Sequence, residues 1–344
     1  MTHDSAELVS PAPIPLPGDY LNRYWLELLG VNPSLVNQFR STLVTFLAFD
    51  KDRSVSPQTT VGTGFICGSS PEQGIALVIT AKHVLDGIHG IQTPRPLYAE
   101  SAYFVPSSRK QLALDPAKLK IVWMASTHAA MMSAITASYN ESTDLACCVI
   151  AAQERENEAF HPAHIPLDTR IPIVGEIVHM VSVDEMSANE AASPKDQSGA
   201  GQVLELYRRI CIRRGSVTGV YPNGFGQYRW PCFTTSIPTT GGMSGGFVYV
   251  PRDNETIAAC GIVCADLDPY QSKTDLTQCG CSVIGCSWPA LALRLPESIP
   301  APTNTVTKSL LELAQMGYIP EPVGGIARFE LETLENGDFR LHRH

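Results

Sequence analysis

The apolar residues of this chain fall in short runs, with no long stretch and no helical repeat through the middle of the sequence. Between Thr42 and Trp288, twelve such runs are rich in Val, Ile, Phe or Tyr and are bounded by Gly, Pro, Ser or Asn, the punctuation of β-strands and turns. Six precede residue 152: Leu43–Phe49, Val61–Cys67, Ile75–Thr80, Leu97–Val105, Leu119–Ala125 and Leu145–Ala151. Six follow it: Ile173–Val183, Val203–Ile212, Tyr228–Thr235, Gly246–Val250, Thr256–Cys264 and Cys281–Cys286. Many short strands with little helix between them predict a sandwich or barrel rather than an alternating strand–helix sheet. The division into six and six predicts an all-β fold of two six-stranded antiparallel β-barrels, residues 42–151 and residues 152–295.

The flanks read differently. Residues 1–41 predict an N-terminal helical extension, with helices over Tyr20–Leu29 and Pro33–Phe39. In the C-terminal extension, 296–344, the run Thr307–Met316 sets Leu310, Leu311, Leu313 and Ala314 at helical spacing, which predicts a packing helix. Asp184–Gly201 is polar and small and predicts a long exposed loop; Phe329–Phe339 alternates weakly and predicts an added edge strand. There is no internal repeat.

Composition narrows the class. At 344 residues, 44% hydrophobic and 17% charged, the chain can bury a sizeable core and is too apolar for disorder. Twenty-five Lys and Arg against 34 Asp and Glu, a net charge of −9, argue against a nucleic-acid partner, which needs a basic surplus. No run approaches 18 apolar residues, so no membrane partner is expected, and the N-terminus lacks the basic and apolar regions of a secretory signal. A cytoplasmic location follows as the expectation. The ten cysteines then read as reduced core residues. Cys279-x-Cys281 is too tight for a common zinc knuckle, and Cys260 and Cys264 lie at even spacing on one strand, so no metal or other cofactor is expected. His161 and His164, beside prolines between the two halves, read as surface residues.

Three segments carry chemistry. Thr80-Ala81-Lys82-His83-Val84 directly follows an apolar strand, with Val61-Gly62-Thr63-Gly64-Phe65 one strand earlier. Ser142-Thr143-Asp144-Leu145-Ala146 places one carboxylate at the opening of an apolar run. Thr240-Gly241-Gly242-Met243-Ser244-Gly245-Gly246 surrounds a serine with glycines. A serine hydroxyl is a weak nucleophile that needs an imidazole base, and the base needs a carboxylate to hold its tautomer. Glycines beside the serine let backbone N–H groups converge on a developing oxyanion.

In the order His, Asp, Ser, with 61 and 100 residues between them, these segments resemble the chymotrypsin-fold, trypsin-like serine peptidases over roughly Leu43–Leu295. The resemblance implies His83 as general base, Asp144 as its orienter, Ser244 as nucleophile, and the amides of Gly242 and Ser244 as oxyanion hole. It also implies that Cys260–Ala265 follows the path of the strand lining the substrate cleft, with Gly261 matching the family's glycine, and that Cys264, Asp266 and Asp268 lie along that cleft, where a carboxylate would favour a basic residue near the cleaved bond. Two departures matter. Met243 stands where digestive members carry the Asp that pairs with a new N-terminus, so activation by N-terminal insertion is not expected, and the pattern is closer to bacterial or viral-type members. Pro238 stands where members cleaving after Lys or Arg carry an Asp, six residues before the serine.

The implied function is a serine endopeptidase that hydrolyses peptide bonds of a protein or peptide substrate through an acyl-enzyme. Two other readings stay open: a catalytically silent binding or sensing module on the same fold, and an esterase using the same three residues. The terminal extensions offer surfaces for a regulatory protein partner.

Overall fold

Each barrel strand forms where β-branched and aromatic residues can alternate between the barrel interior and its outer face. A computed structural model describes residues 33–48, 59–89, 104–107, 111–112, 119–125, 129–139, 143–152, 160–190, 204–225, 228, 230–252, 256–266, 282–296, 307–335 and 339–344. Helix α1 (Pro33–Thr42) leads into β1 (Leu43–Ala48), β2 (Thr59–Ser70) and β3 (Ile75–Ala81); α2 (Lys82–His89) follows β3 directly. Next come β4 (Phe104–Ser107), β5 (Gln111–Leu112), β6 (Leu119–Met124), β7 (Ala129–Tyr139) and β8 (Leu145–Ala151). Strands β1, β2, β3, β8, β7 and β6 pair in that cyclic order, all antiparallel, and β6 returns to β1 to close a six-stranded barrel; β5 adds outside on β7.

The second barrel is built from β9 (Ile177–Glu190), β10 (Leu204–Tyr221), β11 (Cys232–Thr235), β12 (Phe247–Tyr249), β13 (Gly261–Asp266) and β14 (Ser282–Cys286), closed in the order β10-β11-β14-β13-β12-β9. The chain therefore has the chymotrypsin-like arrangement of two six-stranded antiparallel barrels. Beyond it, β15 (Arg294–Pro296) pairs with β16 (Thr307–Ser309), and α3 (Leu310–Gln315) starts on a capping box between Ser309 and Glu312. Strands β17 (Phe329–Thr333) and β18 (Phe339–Arg343) join β4 in a separate three-stranded sheet.

The count of six in the first barrel hides an exchange. Of the predicted run Leu97–Val105, residues 97–103 lie outside the described residues, and its described end belongs to β4, which pairs with the C-terminal β18 and not with the barrel. The missing member is β7, an Ala-, Ser- and Met-rich segment of low β propensity, held by partners on both sides. The expected loop over Asp184–Gly201 is also corrected, since β9 runs on to Glu190 and pairs with β10 as far as Leu204. Ile173 and Val174 are not in a strand; they lie exposed in a turn ahead of β9. The predicted Thr307–Met316 helix begins with a short strand and turns helical at Leu310. The predicted helix over Tyr20–Leu29 lies outside the described residues. The eight described cysteines are all buried thiols, and His161 and His164 are exposed.

One continuous core joins the barrels. Phe65 of β2 packs on Phe247 of β12 at 5.3 Å between ring centroids, and Phe39 of α1 covers Phe247 and Tyr249 at 5.7 and 5.8 Å. Burying rings of this size contributes about 2–3 kcal/mol each, so α1 helps seal the barrel interface. A polar clasp reinforces it. Arg208, on the β9–β10 hairpin, donates to the carbonyls of Arg40 at the end of α1 (2.8 Å), Leu43 on β1 (2.7 Å) and Met124 on β6 (2.8 Å). Burial and the charge of Arg40 lower its pKa to about 10, which leaves it charged at neutral pH.

His179 of β9 makes the second barrel pH-sensitive. Its Nδ1 lies 2.8 Å from the Tyr249 hydroxyl, and burial, aided by the charge of Arg214, lowers its pKa to about 4. Unfolded, the ring takes up a proton near its ordinary value of about 6.5, while the folded ring stays neutral until about 4. Its contribution is therefore full above that window and is lost as pH falls through it. Urea unfolding of wild type and His179→Gln at pH 7 and pH 4 should show the wild type losing about 2–3 kcal/mol more than the variant. An unchanged difference would mean that the buried ring does not resist protonation.

Candidate active site

The junction of β3 and α2 sets the first part of the site. The strand ends at Ala81 and the chain turns helical at once, so consecutive residues point different ways. Lys82 turns inward, with its ammonium 5.2 Å above the Tyr139 ring, while His83 stays 44% exposed. The free N–H groups at the start of α2 need acceptors, and the start of β8 supplies them. The Lys82 amide donates to the Asp144 carbonyl at 3.1 Å, and the His83 amide donates to Asp144 Oδ1 at 3.0 Å. The other carboxylate oxygen takes the imidazole: His83 Nδ1 lies 2.7 Å from Asp144 Oδ2. A helix N-terminus favours this carboxylate electrostatically. With Asp144 ionised, Nδ1 carries the proton and Nε2 is the acceptor nitrogen of the ring.

Asp144 is 13% exposed and has a further neighbour. Burial, followed by the negative charge of Asp144, pushes the pKa of the Cys264 thiol well up, so the thiol stays neutral. Its side chain is buried beside Trp230, Cys232 and Val283, and its S–H donates to the Ile262 carbonyl at 3.4 Å. Of the other two residues expected along the cleft, Asp266 closes β13 opposite Ser282, and Asp268 lies outside the described residues.

The serine comes from the other barrel. Residues Gly241–Gly246 form a tight turn into β12, with Gly242 at φ +91° and Gly245 at φ +85°, a region in which side chains are strained. A Cβ on Gly245 would also collide with the Thr63 carbonyl and the Thr80 hydroxyl. The turn is pinned from both barrels. The Thr63 amide donates to the Ser244 carbonyl at 2.7 Å, and the Thr63 hydroxyl donates to the Gly242 carbonyl at 2.8 Å while accepting from the Val183 amide at 3.1 Å. The Ser182 hydroxyl donates to the Met243 carbonyl at 2.9 Å, and the Gly246 amide reaches the same oxygen at 3.0 Å. In a trans peptide the C=O and N–H point in opposite directions, so drawing the Met243 carbonyl inward turns the Ser244 N–H outward. Among the described residues, neither the Gly242 nor the Ser244 amide donates to a backbone carbonyl.

Met243 is fully buried, and its sulfur accepts from the Thr240 amide at 3.3 Å. At this position, then, the turn rests on packing and a thioether contact. The two halves of the site meet across Gly62, where a Cβ would touch both the Val84 side chain, next to His83, and the Ser244 carbonyl. Thr63 and Ser182 had no role assigned from sequence, although Thr63 lies inside the glycine-flanked segment already noted; their partners are distant in the chain. Among the described residues, no cluster of His, Cys, Asp or Glu is arranged to hold a metal ion.

With this geometry in view, comparisons with known proteins gain meaning. A family model described as a trypsin-like peptidase domain matches residues 62–258, more than half of the chain. No curated protein matches. Among solved structures, the chain is similar to the inactive form of a serine-to-alanine mutant of Rv3671c from M. tuberculosis H37Rv, at 13% identity, over 81% of this chain and 91% of that one, with a TM-score of 0.40.

The pinning by Thr63 is measurable. Thr63→Val keeps the side chain's volume but strands the Gly242 carbonyl and the Val183 amide, and should lower unfolding free energy by about 1–3 kcal/mol. Thr45→Val is the control: among the described residues this buried hydroxyl on β1 has no hydrogen-bond partner, so its removal should be neutral or stabilising. Equal effects of the two changes in urea titrations would show that the Thr63 hydroxyl holds nothing in place.

Proposed function

The chain belongs to the trypsin-like peptidase family, and on that footing we propose that it is a serine endopeptidase working through an acyl-enzyme, with Ser244, His83 and Asp144 as its reacting and orienting groups. The observation that carries this reading is the pair of bonds from His83 to Asp144, one from the backbone amide and one from Nδ1. They fix both the ring's position and its tautomer, which leaves Nε2 as the base.

In the proposed reaction, Ser244 Oγ attacks the peptide carbonyl as Nε2 of His83 takes the hydroxyl proton. The negative charge that develops on the carbonyl oxygen is met by the amides of Gly242 and Ser244, the second of which is turned outward by the hold on the Met243 carbonyl. Collapse of the tetrahedral species expels the amine, which receives the proton from His83. Water then attacks the acyl-enzyme by the same route, with His83 as base, and releases the acid and the free serine. Asp144 stays ionised throughout and stabilises the imidazolium.

Purified protein should be labelled covalently by a fluorophosphonate and should cleave peptide amides. Ser244→Ala should lose both properties while keeping its circular dichroism and melting temperature. Asp144→Asn should lower kcat by about four orders of magnitude, because an amide no longer holds the productive tautomer. Folded wild type that neither labels nor cleaves would sink the peptidase reading and leave a silent binding module.

A further inference from the structure

Among the described residues, several buried or half-buried arginine heads are matched by an anion or by a set of carbonyls. Asp168 takes both Arg170 and Arg252, Glu312 takes Arg294, and three carbonyls take Arg208. Arg213 departs from that pattern. It lies on β10 with only 4% of its surface exposed, and among the described residues no carboxylate meets it. Its Nε donates to Cys211 Sγ at 3.1 Å, and its Nη1 donates to the Pro238 carbonyl at 2.5 Å. A guanidinium has five N–H donors, and here it finds one weak sulfur acceptor and one carbonyl. Donors are left over, and no Arg213 nitrogen is among the fully buried unpartnered atoms, so a further acceptor can reach them.

Its position says which anion. Pro238 lies on the segment that leaves β11 and runs into the Ser244 turn. That segment is held at its start by the Thr235 hydroxyl, which lies 2.7 Å from the Ser282 hydroxyl of β14 and accepts the Ile237 amide at 3.1 Å. Strand β13, paired to β14, is fastened to the same turn by the Gly245 amide on the Val263 carbonyl and the Val263 amide on the Gly246 carbonyl, both at 2.8 Å. The guanidinium thus holds a carbonyl six residues before Ser244, on the segment that leads from β11 into the serine turn. By the resemblance given above, Pro238 is also the position at which members that cleave after Lys or Arg carry an Asp. Here that place bears a carbonyl clasped by a cation.

We propose that Arg213 is the specificity-determining residue of this peptidase and that it reads an acidic side chain, Glu or Asp, on the acyl side of the cleaved bond. The proposal rests on the peptidase reading for its chemistry, while the recognition of the acid is a property of the fold. An incoming carboxylate would take up the donors that Pro238 and Cys211 leave open, as a charge-assisted hydrogen bond. It runs against a preference for basic residues through Asp266 and Asp268.

The test uses the full chain and tetrapeptide coumarylamides that differ only in the last residue: Glu, Asp, Gln, Leu or Lys. For wild type, kcat/KM for Glu should exceed that for its uncharged isostere Gln by about tenfold or more. Arg213→Gln should bring the Glu-to-Gln ratio to within about twofold, and Arg213→Lys should keep part of it. A wild-type ratio near one, a preference for Lys, or a ratio that survives Arg213→Gln overturns the proposal. Calorimetric titration of wild type with C-terminally amidated product peptides decides the matter without a variant, or without turnover. The Glu peptide should bind about tenfold more tightly than the Gln peptide, and equal affinities overturn the proposal. Failure of the peptidase reading appears separately, as absence of fluorophosphonate labelling and of hydrolysis of every peptide.

Discussion

The site depends on keeping two separately closed barrels in one register, and Thr63 carries much of that constraint. Its amide, its hydroxyl and its carbonyl are all engaged: the amide by the Ser244 carbonyl, the hydroxyl by Gly242 and Val183, and the carbonyl by the Thr80 hydroxyl at 2.7 Å. Thr80 lies three residues before His83 and Ser244 lies in the other barrel, so a single buried residue spans from the strand that presents the imidazole to the turn that presents the serine. Backbone atoms do most of this holding, and backbone positions shift little when surface side chains change. The glycines of the turn follow from the same constraint, because a Cβ on Gly245 would occupy the space of the Thr63 carbonyl.

Asp144 illustrates how several demands converge on one carboxylate. It caps α2 with one oxygen and takes the imidazole with the other, so one side chain fixes both the start of the helix and the ring of His83. Met243 shows the complementary solution, in which a loop is held by packing and dipoles where charge pairing is not available.

Much of this architecture was legible in the sequence because its signals are local. An apolar run ending at Thr80-Ala81-Lys82-His83, a carboxylate opening the run from Leu145, and glycines around Ser244 are each contiguous, and the hydrogen bond between His83 and Asp144 joins two residues already singled out. What was not legible depends on distant partners. The Thr63 hydroxyl binds a carbonyl 179 residues away, and no local pattern marks it. Strand β7 lacks β-branched density and exists because β6 and β8 flank it, whereas Leu97–Val105 carries a strand-like composition and its described end serves another sheet. Cys264 was expected along the cleft from its place in the chain; the β13 bulge at it, between Val263 and Ala265, is announced by no sequence pattern.

The Arg208 clasp has a consequence for the order of assembly. The three carbonyls it binds belong to α1, β1 and β6, all made early in synthesis, while the guanidinium arrives with β10, more than eighty residues after Met124. Until then the first barrel carries the His83–Asp144 pair without its clasp, and without the serine. On a ribosome the hairpin that completes the packing of the first barrel therefore precedes Ser244, and the strands that close the second barrel, β12 to β14, follow it.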